Sequence, residues 1–311
     1  MSTDTSNLVS ANTRLIDLEH LGTSEIIASC LFESPMGSTL IDPGPASTIK
    51  ILQKKLDEHG VQISDLTSIL LTHIHLDHAG ATGKLVQLNP NIKVYVHERG
   101  ALHMINPERL VRSATRLYGA HMDRLWGSFL SVPPENIQTL SGGETLNLSG
   151  RIIEVAYTPG HASHHVSYLD TESGVAFVGD TCGIRISNLP YVLPATPPPD
   201  INLELWKDSL SQISKWRPVR LFLTHFGPAD GVLDQITKLW DALQERTNAV
   251  RQSLQTEGTD SERSKEYVRQ IASDLRHHLS EDEAKRFEVG SGVHMGWAGL
   301  ARYLRKSDNL E

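Results

Sequence analysis

The chain has 311 residues, which is long enough for one large layered domain with a smaller appendage. It carries 29 basic and 37 acidic residues, for a formal net charge of −8, and this balance argues against a nucleic acid as the main partner. Its two cysteines, Cys30 and Cys182, are too few for a disulfide framework. The first residues lack the pattern of a signal peptide, and no run approaches the ~20 apolar residues of a membrane span. We therefore expect a cytoplasmic protein that does not bind membranes.

The first hundred residues alternate between predicted strands and predicted helices. Residues 14–42 are rich in β-branched and apolar side chains interrupted by Gly, Pro and Ser, which predicts strands. The apolar spacing over 47–59 is helical. The short apolar run 66–73 predicts a strand buried on both faces. A helix over 79–88 and a strand over 91–98 follow.

Residues 100–131 interrupt this β-rich pattern. Their apolar side chains have helical spacing in two pieces, with breaks near Asn106-Pro107 and at Gly119. The segment is therefore interpreted as a helical insertion, which either packs against the core or caps an active site.

Strands and then helices follow the insertion. The predicted elements are strands within 135–169, 174–180 and 219–225, a loop over 184–202 that is Pro-rich in its second half, and a helix over 203–216. The rest of the chain is mostly helical, with a polar break near 256–260. We accordingly divide the chain into a domain over 1–228 and a C-terminal helical extension over 229–311.

Four potential metal ligands lie within six residues, where the predicted strand 66–73 ends: His73, His75, Asp77 and His78. In an extended segment, His73 and His75 point to the same side. A turn after them can aim Asp77 and His78 at the same region from a second direction. This spacing predicts two adjacent half-sites built from one loop.

Three further potential ligands each follow an apolar strand. His161 stands after a Pro-Gly turn, and Asp180 and His225 end the strands 174–180 and 219–225. Imidazole and carboxylate ligands suit zinc, and also iron or manganese.

This order of motifs resembles the metallo-β-lactamase superfamily over about residues 14–228. The motifs are H-x-H-x-D-H, then P-G-H, G-D and T-H-F-G. The resemblance implies an α/β protein with an αββα sandwich, here with a helical insertion and a C-terminal helical extension. It also implies two divalent metal ions, most consistent with zinc. By matching position, the implied ligands are His73, His75 and His161 for the first ion, Asp77, His78 and His225 for the second, and Asp180 as the bridge.

The resemblance further implies a hydrolase that uses a metal-bridging hydroxide on a small ester, lactone or thioester, as in the glyoxalase II and lactonase-like branch. Asp77 and Asp180 are the predicted catalytic residues, and Asp77 is expected to move a proton to the leaving group. His75 favours hydrolysis, because flavin-linked diiron members usually carry Glu there. Gly183 stands where the best-known lactonases carry Tyr, so Tyr191 is considered as its substitute.

Alternatives to this function remain open. They are an iron-dependent persulfide-type dioxygenase, a phosphodiesterase, a β-lactamase, and a metal-stabilised scaffold without catalytic activity.

A small-molecule substrate is expected to meet an apolar mouth beside the metals, formed by Tyr118, Trp126 and Tyr191 together with Met122 and the loop 194–199. His165 is assigned to the same region, where it can orient a ligand, and the role of His164 is left open. The histidines without a matching motif are assigned to the surface or to packing; they are His20, His59, His97, His103, His121, His277, His278 and His294.

The C-terminal segment places Trp297, Leu300 and Leu304 on one side of a predicted helix. This side could form a homodimer contact or pack back onto the core.

Overall fold

A computed structural model describes residues 8–34, 36–185, 191–290 and 292–308, and within these residues it has two β-sheets. The strands of the first sheet follow one another in sequence order: Leu8–Ser10 (β1), Thr13–Asp17 (β2), Ala28–Phe32 (β3), Ser38–Ile41 (β4), Leu66–Leu70 (β5), Lys93–His97 (β6) and Ile137–Leu140 (β7). Strands β1 to β4 pair antiparallel, whereas β4 to β7 pair parallel.

The second sheet comes from later in the chain. Its strands are Thr145–Leu148 (β8), Arg151–Tyr157 (β9), Val166–Asp170 (β10), Val175–Phe177 (β11), Arg220–Leu223 (β12) and Gly227–Ala229 (β13). They lie in the order β13-β12-β11-β10-β9-β8, and only the β11–β12 pair among them is parallel.

Helices connect and cover these strands. They are Ile49–Glu58 (α1), Leu76–Ala79 (α2), Thr82–Leu88 (α3), Glu98–Ile105 (α4), Glu108–Tyr118 (α5), Met122–Trp126 (α6), Leu203–Lys215 (α7), Val232–Leu254 (α8), Asp260–His278 (α9), Glu281–Gly290 (α10) and Val293–Ser307 (α11). The predicted insertion corresponds to α4, α5 and α6, and the predicted C-terminal helices to α8 through α11. No helix in the described ranges combines the length and the apolar character needed to cross a membrane.

Three apolar clusters define the layers of the molecule. One lies between the sheets and joins residues such as Cys30 and Phe32 of β3 to Phe177 and Phe222 of the second sheet. A second cluster joins the outer face of the first sheet to α1, α3, α4 and α5. The third joins the outer face of the second sheet to α7 through α11. The layers are therefore helix, sheet, sheet and helix, which confirms the predicted αββα sandwich.

Alternation along the strands produces this layering. In β12, Phe222 points between the sheets, whereas Leu221 and Leu223 point to the outer helices. Because both faces are covered, such strands appear in the sequence as continuous apolar runs.

The structure corrects the first of the strands predicted within 14–42, which the apolar pattern extends over 14–21. The strand β2 ends at Asp17, whose carboxylate accepts hydrogen bonds from the backbone N–H groups of Glu19 (2.9 Å) and Glu25 (3.0 Å). These bonds turn the chain, and residues His20–Gly22 form a short 3-10 turn instead of extended strand. The expectations for residues 1–7, 186–190 and 309–311 lie outside the described residues.

The C-terminal apolar face packs against the chain itself. Trp297, Leu300 and Leu304 of α11 are buried in the cluster beneath the second sheet. A homodimer through these helices stays a prediction, and it would need a surface other than these three side chains.

Candidate metal centre

The loop after β5 carries the first four candidate ligands. His73 and His75 lie in the extended segment between β5 and α2, with His73 Nε2 and His75 Nδ1 2.9 Å apart. The helix α2 begins at Leu76, so Asp77 and His78 lie in a helical turn and approach from a second direction. The structure thus has the geometry that the spacing predicted.

His161, in the loop between β9 and β10, completes a first group of ligands. Its Nε2 lies 3.0 Å from His75 Nδ1 and 3.3 Å from His73 Nε2. The three nitrogens converge on one point, as the ligand atoms of a single ion do.

Asp77, His78 and His225 form a second group. His225 follows β12, and its Nε2 lies 3.3 Å from Asp77 Oδ2. His78 Nε2 lies 3.8 Å from the same oxygen.

Asp180 lies between the two groups. Its Oδ2 is 3.5 Å from His161 Nε2, whereas its Oδ1 is 3.3 Å from His78 Nε2 and 3.5 Å from His225 Nε2. One carboxylate oxygen therefore faces each group, as a bridging ligand requires.

A glycine brings Asp180 to this position. Gly179 has a φ of +47°, and a Cβ at this residue would lie 2.5 Å from Thr72 Oγ1 and 2.7 Å from His165 Nε2. Both the backbone conformation and the close approach require glycine.

The arrangement fits metal ions. Nitrogen ligands of a tetrahedral zinc ion, at bond lengths of 2.0–2.1 Å, lie about 3.3 Å from one another. The first group has separations close to this value. In addition, His78 Nε2 and Asp180 Oδ1 are buried without a hydrogen-bond partner among the described residues, which is costly unless an ion occupies the space between the groups.

Hydrogen bonds from the opposite ring nitrogens orient the histidines. Nδ1 of His161 donates to the carbonyl oxygen of Ala195 at 2.9 Å, and Nδ1 of His225 donates to that of Ile26 at 2.8 Å. A carbonyl oxygen can only accept, so Nδ1 carries the proton in both rings and Nε2 keeps its lone pair for a metal.

Asp42 orients two further histidines, and the sequence analysis did not identify it as a site residue. Its Oδ2 accepts from His78 Nδ1 at 2.8 Å and from Thr72 Oγ1 at 2.7 Å. Because the Thr72 hydroxyl donates its hydrogen bond to Asp42, it accepts a hydrogen bond from His73 Nδ1, which lies 3.1 Å away.

The electrostatics of the site favour ionised carboxylates. Burial raises the pKa of Asp180, but the imidazoles of His78, His225 and His161 outweigh burial and hold that pKa well below its ordinary value. Burial, together with His161, lowers the pKa of His75 to about 4, so this ring is neutral near pH 7. Asp180 and His75 thus have the protonation states in which they bind metal, whereas, despite burial, the carboxylates of Asp180 and Asp77 raise the pKa of His78 and of His225. Metal binding at these two rings would therefore release protons.

A cavity of about 510 Å³ opens above the two groups. Tyr118 and Trp126 of the insertion line it, as predicted, and so do Pro197 to Pro199 of the Pro-rich loop. The two aromatic rings meet edge to face with centroids 5.1 Å apart. The insertion therefore covers the candidate metal centre.

Two of the predicted pocket residues lie elsewhere. The hydroxyl of Tyr191 donates to Asp274 Oδ2 at 2.6 Å, and its ring packs against Phe287, so the C-terminal helices hold it away from the cavity. His165 is fully buried beneath the ligands, where it stacks on His73 at a centroid distance of 5.0 Å. Met122 is also absent from the cavity lining.

Four histidines that the sequence left without a site role line the cavity: His20, His103, His164 and His294. His20 lies nearly parallel to Trp126, with centroids 5.4 Å apart. The prediction that His20, His103 and His294 are surface or packing residues is therefore incomplete. No motif marked them, because they come from separate segments that only the fold brings together.

Comparison with known proteins identifies the fold and the family. The Metallo-beta-lactamase superfamily model matches residues 24–225, which is well over half of the chain. A crystal structure of a metallo-beta-lactamase family protein from Thermus thermophilus has a TM-score of 0.70 over 96% of this chain and 95% of that chain, at 23% identity, and so shares the fold.

Two relatives in sequence match about half of this chain. A metallo-beta-lactamase fold-containing protein of Sulfurisphaera tokodaii is 28% identical over 174 residues, or 53% of this chain. A hydroxyacylglutathione hydrolase of Synechococcus sp. is 30% identical over 151 residues, or 49% of this chain. The matches span 62% and 47% of the lengths of these two relatives. On the family match and the order of its candidate ligands, the chain belongs to the metallo-β-lactamase superfamily.

Proposed function

We propose that the chain is a hydrolase that binds two divalent metal ions and cleaves a small ester, lactone or thioester. The observation that carries this proposal is the arrangement of two ligand groups around the single carboxylate of Asp180, at the floor of a cavity. His73, His75 and His161 would hold one ion, and Asp77, His78 and His225 the other. When bound, such ions lower the pKa of water and polarise a carbonyl oxygen.

Asp77 is the residue that we assign to proton transfer. Its side chain is 22% exposed and lines the cavity, whereas that of Asp180 is 5% exposed and lies between the histidines. Asp77 Oδ2 faces His225, and the opening above leaves the carboxylate within reach of a substrate. Asp77 would accept a proton from the attacking water and pass it to the leaving group.

The ligand chemistry favours zinc, with iron and manganese as alternatives. The set consists of imidazoles and carboxylates, and the nearby Cys182 is buried in the apolar cluster beneath the second sheet. Soft thiolate ligands, which select copper(I) and iron–sulfur clusters, do not belong to this set.

The cavity walls support an acyl substrate. Leu110, Ala114 and Leu117 of α5 join Tyr118 and Trp126 as an apolar surface that extends from the ligands to the rim. Such a surface fits an acyl chain or aryl group beside a polarised carbonyl. Similarity to a protein named hydroxyacylglutathione hydrolase supports the thioester in this group of substrates.

The test is a hydrolysis panel on the metal-loaded enzyme: a γ-lactone, a long-chain lactone, S-lactoylglutathione, a β-lactam and an aryl phosphodiester. We expect turnover of a carboxylic ester, lactone or thioester that is lost after chelation and restored by zinc. Turnover of only the phosphodiester or only the β-lactam would overturn the proposed substrate class. Iron content with oxygen consumption and no hydrolysis would instead identify a dioxygenase.

The role of Asp77 has its own test in Asp77→Asn. We expect kcat to fall by about 100-fold or more, since general acid–base catalysis typically contributes ~10²–10⁴-fold. The matched control is Asp123→Asn, an exposed aspartate on α6. Full activity of Asp77→Asn with both metals present by elemental analysis would show that Asp77 moves no proton.

A further inference from the structure

The helical insertion forms one long wall of the cavity. Along α5, the residues that line it repeat every three to four positions: Arg109, Leu110, Ser113, Ala114, Leu117 and Tyr118. Apart from Ser113, this inner row is apolar between Leu110 and Tyr118, and Arg109 lies at its N-terminal end. Arg99, from the start of α4, lines the cavity as well.

The insertion is basic although the whole chain is acidic. Residues 98–126 contain five arginines against three acidic residues, in a chain of net charge −8. The arginines are Arg99, Arg109, Arg112, Arg116 and Arg124. Positive charge is therefore concentrated beside the cavity.

None of these five arginines forms an ion pair with a carboxylate in the described part of the chain. Of the thirteen other arginines, ten form an ion pair within the described residues. Carboxylates that pair with arginine are thus common among the described residues, yet the three acidic side chains of the insertion, Glu98, Glu108 and Asp123, pair with none of its five arginines.

The acidic groups of the cavity are already engaged. Asp200 lines it, but its Oδ2 accepts hydrogen bonds from the backbone N–H and the hydroxyl of Ser163. Asp77 and Asp180 face the ligand histidines. Arg99 is positioned over the ring of Tyr157, 5.7 Å from its centroid, and this contact leaves the guanidinium N–H groups available.

From these observations we propose that the substrate carries an anionic group, a carboxylate or a phosphate, which Arg99 and Arg109 bind at the cavity rim. The reacting carbonyl lies at the metal centre, and an apolar segment between the two lies along the inner row of α5. Guanidinium groups recognise both anions through paired N–H donors. This inference rests on the proposed hydrolase function and narrows its substrates to acyl compounds with a negative charge away from the scissile bond.

The experiment compares charged and neutral esters of equal length. The probes are monophenyl succinate, adipate and suberate, whose free carboxylate lies on the acyl side, and phenyl butyrate, hexanoate and octanoate as neutral partners. A phenyl phosphate ester of the same hexanoyl chain, with the phosphate on the leaving group, gives the second arm. The cavity variant combines Arg99→Gln with Arg109→Gln. The control variant combines Arg112→Gln with Arg116→Gln, because these two arginines of α5 do not line the cavity.

We expect the unaltered zinc enzyme to prefer one charged series, with an optimum chain length that reports the span from the rim to the metals. The double variant Arg99→Gln/Arg109→Gln should raise the KM for the charged ester by about 10- to 100-fold, as expected for charged hydrogen bonds. Turnover of the neutral ester should fall much less than turnover of the charged ester, because only the charged ester carries the anion that these arginines bind. The control variant should keep the preference.

The inference would be overturned if charged and neutral esters were turned over equally. It would also be overturned if the control variant lost as much activity on the charged ester as the cavity variant does. Neither result would contradict the proposed hydrolase function. If no ester is hydrolysed, the proposed function fails, and binding still tests the arginines. Calorimetric titration of adipate into the zinc protein should then show affinity that is lost in the cavity variant and kept in the control, and equal affinity in all three proteins would contradict the proposal.

Discussion

Asp42 connects the ligand loop to the second sheet through a single carboxylate. Besides His78 and the Thr72 hydroxyl, it accepts hydrogen bonds from the Thr72 backbone N–H at 2.8 Å and from Thr224 Oγ1 at 2.9 Å. Thr224 precedes the ligand His225, so one side chain fixes residues next to both ligand groups. A buried carboxylate that accepts four hydrogen bonds is fixed in orientation, and it fixes the His78 ring that donates to it.

Replacing this carboxylate should weaken metal binding. In Asp42→Asn, one acceptor oxygen becomes an N–H₂ donor, which would face either the Thr72 backbone N–H or the three donors on Oδ2, and the oxygen that remains to accept from His78 Nδ1 is uncharged. We expect metal affinity to fall by about 10–100-fold, as for other residues that orient metal ligands. Competition with a chromogenic chelator measures this affinity.

The matched control is Asp170→Asn, because Asp170 is also buried but pairs with Arg151 at 2.9 Å, away from the ligands. Similar losses of metal affinity in both variants would show that Asp42 acts only through general stability.

At the residue scale, the sequence was sufficient to pick out seven candidate ligands that follow strands in a fixed order, and the structure brings their side chains together. That they bind metal stays a prediction. The sequence was insufficient to identify Asp42, because one of its hydrogen-bond partners, Thr224, lies 182 residues away along the chain. Tyr191 was misplaced for the same reason: its contacts with Asp274 depend on how the C-terminal helices pack.

The helix α11 contacts the candidate metal centre indirectly, by packing on residues 195–197 of the Pro-rich loop. Gly299 packs directly on this segment, since a Cβ there would lie 2.1 Å from the Thr196 carbonyl oxygen and 2.9 Å from the Pro197 carbonyl carbon. The neighbouring Ala195 accepts the hydrogen bond from the ligand His161. A helix of the extension is therefore linked to a ligand of the first group.

We expect Gly299→Ala to displace this segment and to lower metal occupancy in the first ligand group. The new methyl group would meet backbone, which has no rotamer to move aside. Gly296→Ala is the graded control, because its Cβ would contact the Thr196 hydroxyl at 3.1 Å and the Tyr267 ring at 3.2 Å, and these side chains can shift.

Titration with cobalt, whose visible spectrum reports the ligands, should show a weaker or distorted first site in Gly299→Ala and a nearly unchanged one in Gly296→Ala. Unaltered spectra in both variants would mean that α11 does not support His161.

At the element scale, continuous apolar runs correctly predicted the buried strands β5, β11 and β12. Their ends were harder to predict, because hydrogen bonds between side chains and backbone decide where extension stops, as Asp17 shows. The short edge strands β1 and β13 lack a distinctive pattern and emerged only from pairing with a neighbour.

At the scale of the whole molecule, the C-terminal helices share one apolar cluster with the second sheet. Leu243 of α8 is fully buried in this cluster, together with Leu221 and Leu223 of β12. The division into 1–228 and 229–311 is a proposal about chain organisation, and the packing predicts that the two parts unfold together.

Leu243→Ala should lower the free energy of unfolding by about 2–5 kcal/mol, through lost burial and a cavity. Leu85→Ala in α3 is its counterpart, since it is equally buried in the cluster outside the first sheet. Differential scanning calorimetry should show a single transition whose midpoint falls in both variants. Two separate transitions, each sensitive to one substitution, would instead indicate that the layers unfold independently.

The division of the candidate ligands between the two sheets has a consequence for biosynthesis. The ribosome completes residues 73–78 about 150 residues before His225, a delay of about 7–30 s at translation rates of about 5–20 residues per second. During this interval, the nascent chain exposes three imidazoles and a carboxylate without a fixed geometry. Any cation that they bind is ranked by general affinity, which follows the Irving–Williams order, and not by the shape of the site. The finished site imposes its geometry only when the second sheet has folded against the first. We therefore expect metal selection in the cell to be a late event, made by the folded protein and not by the emerging chain.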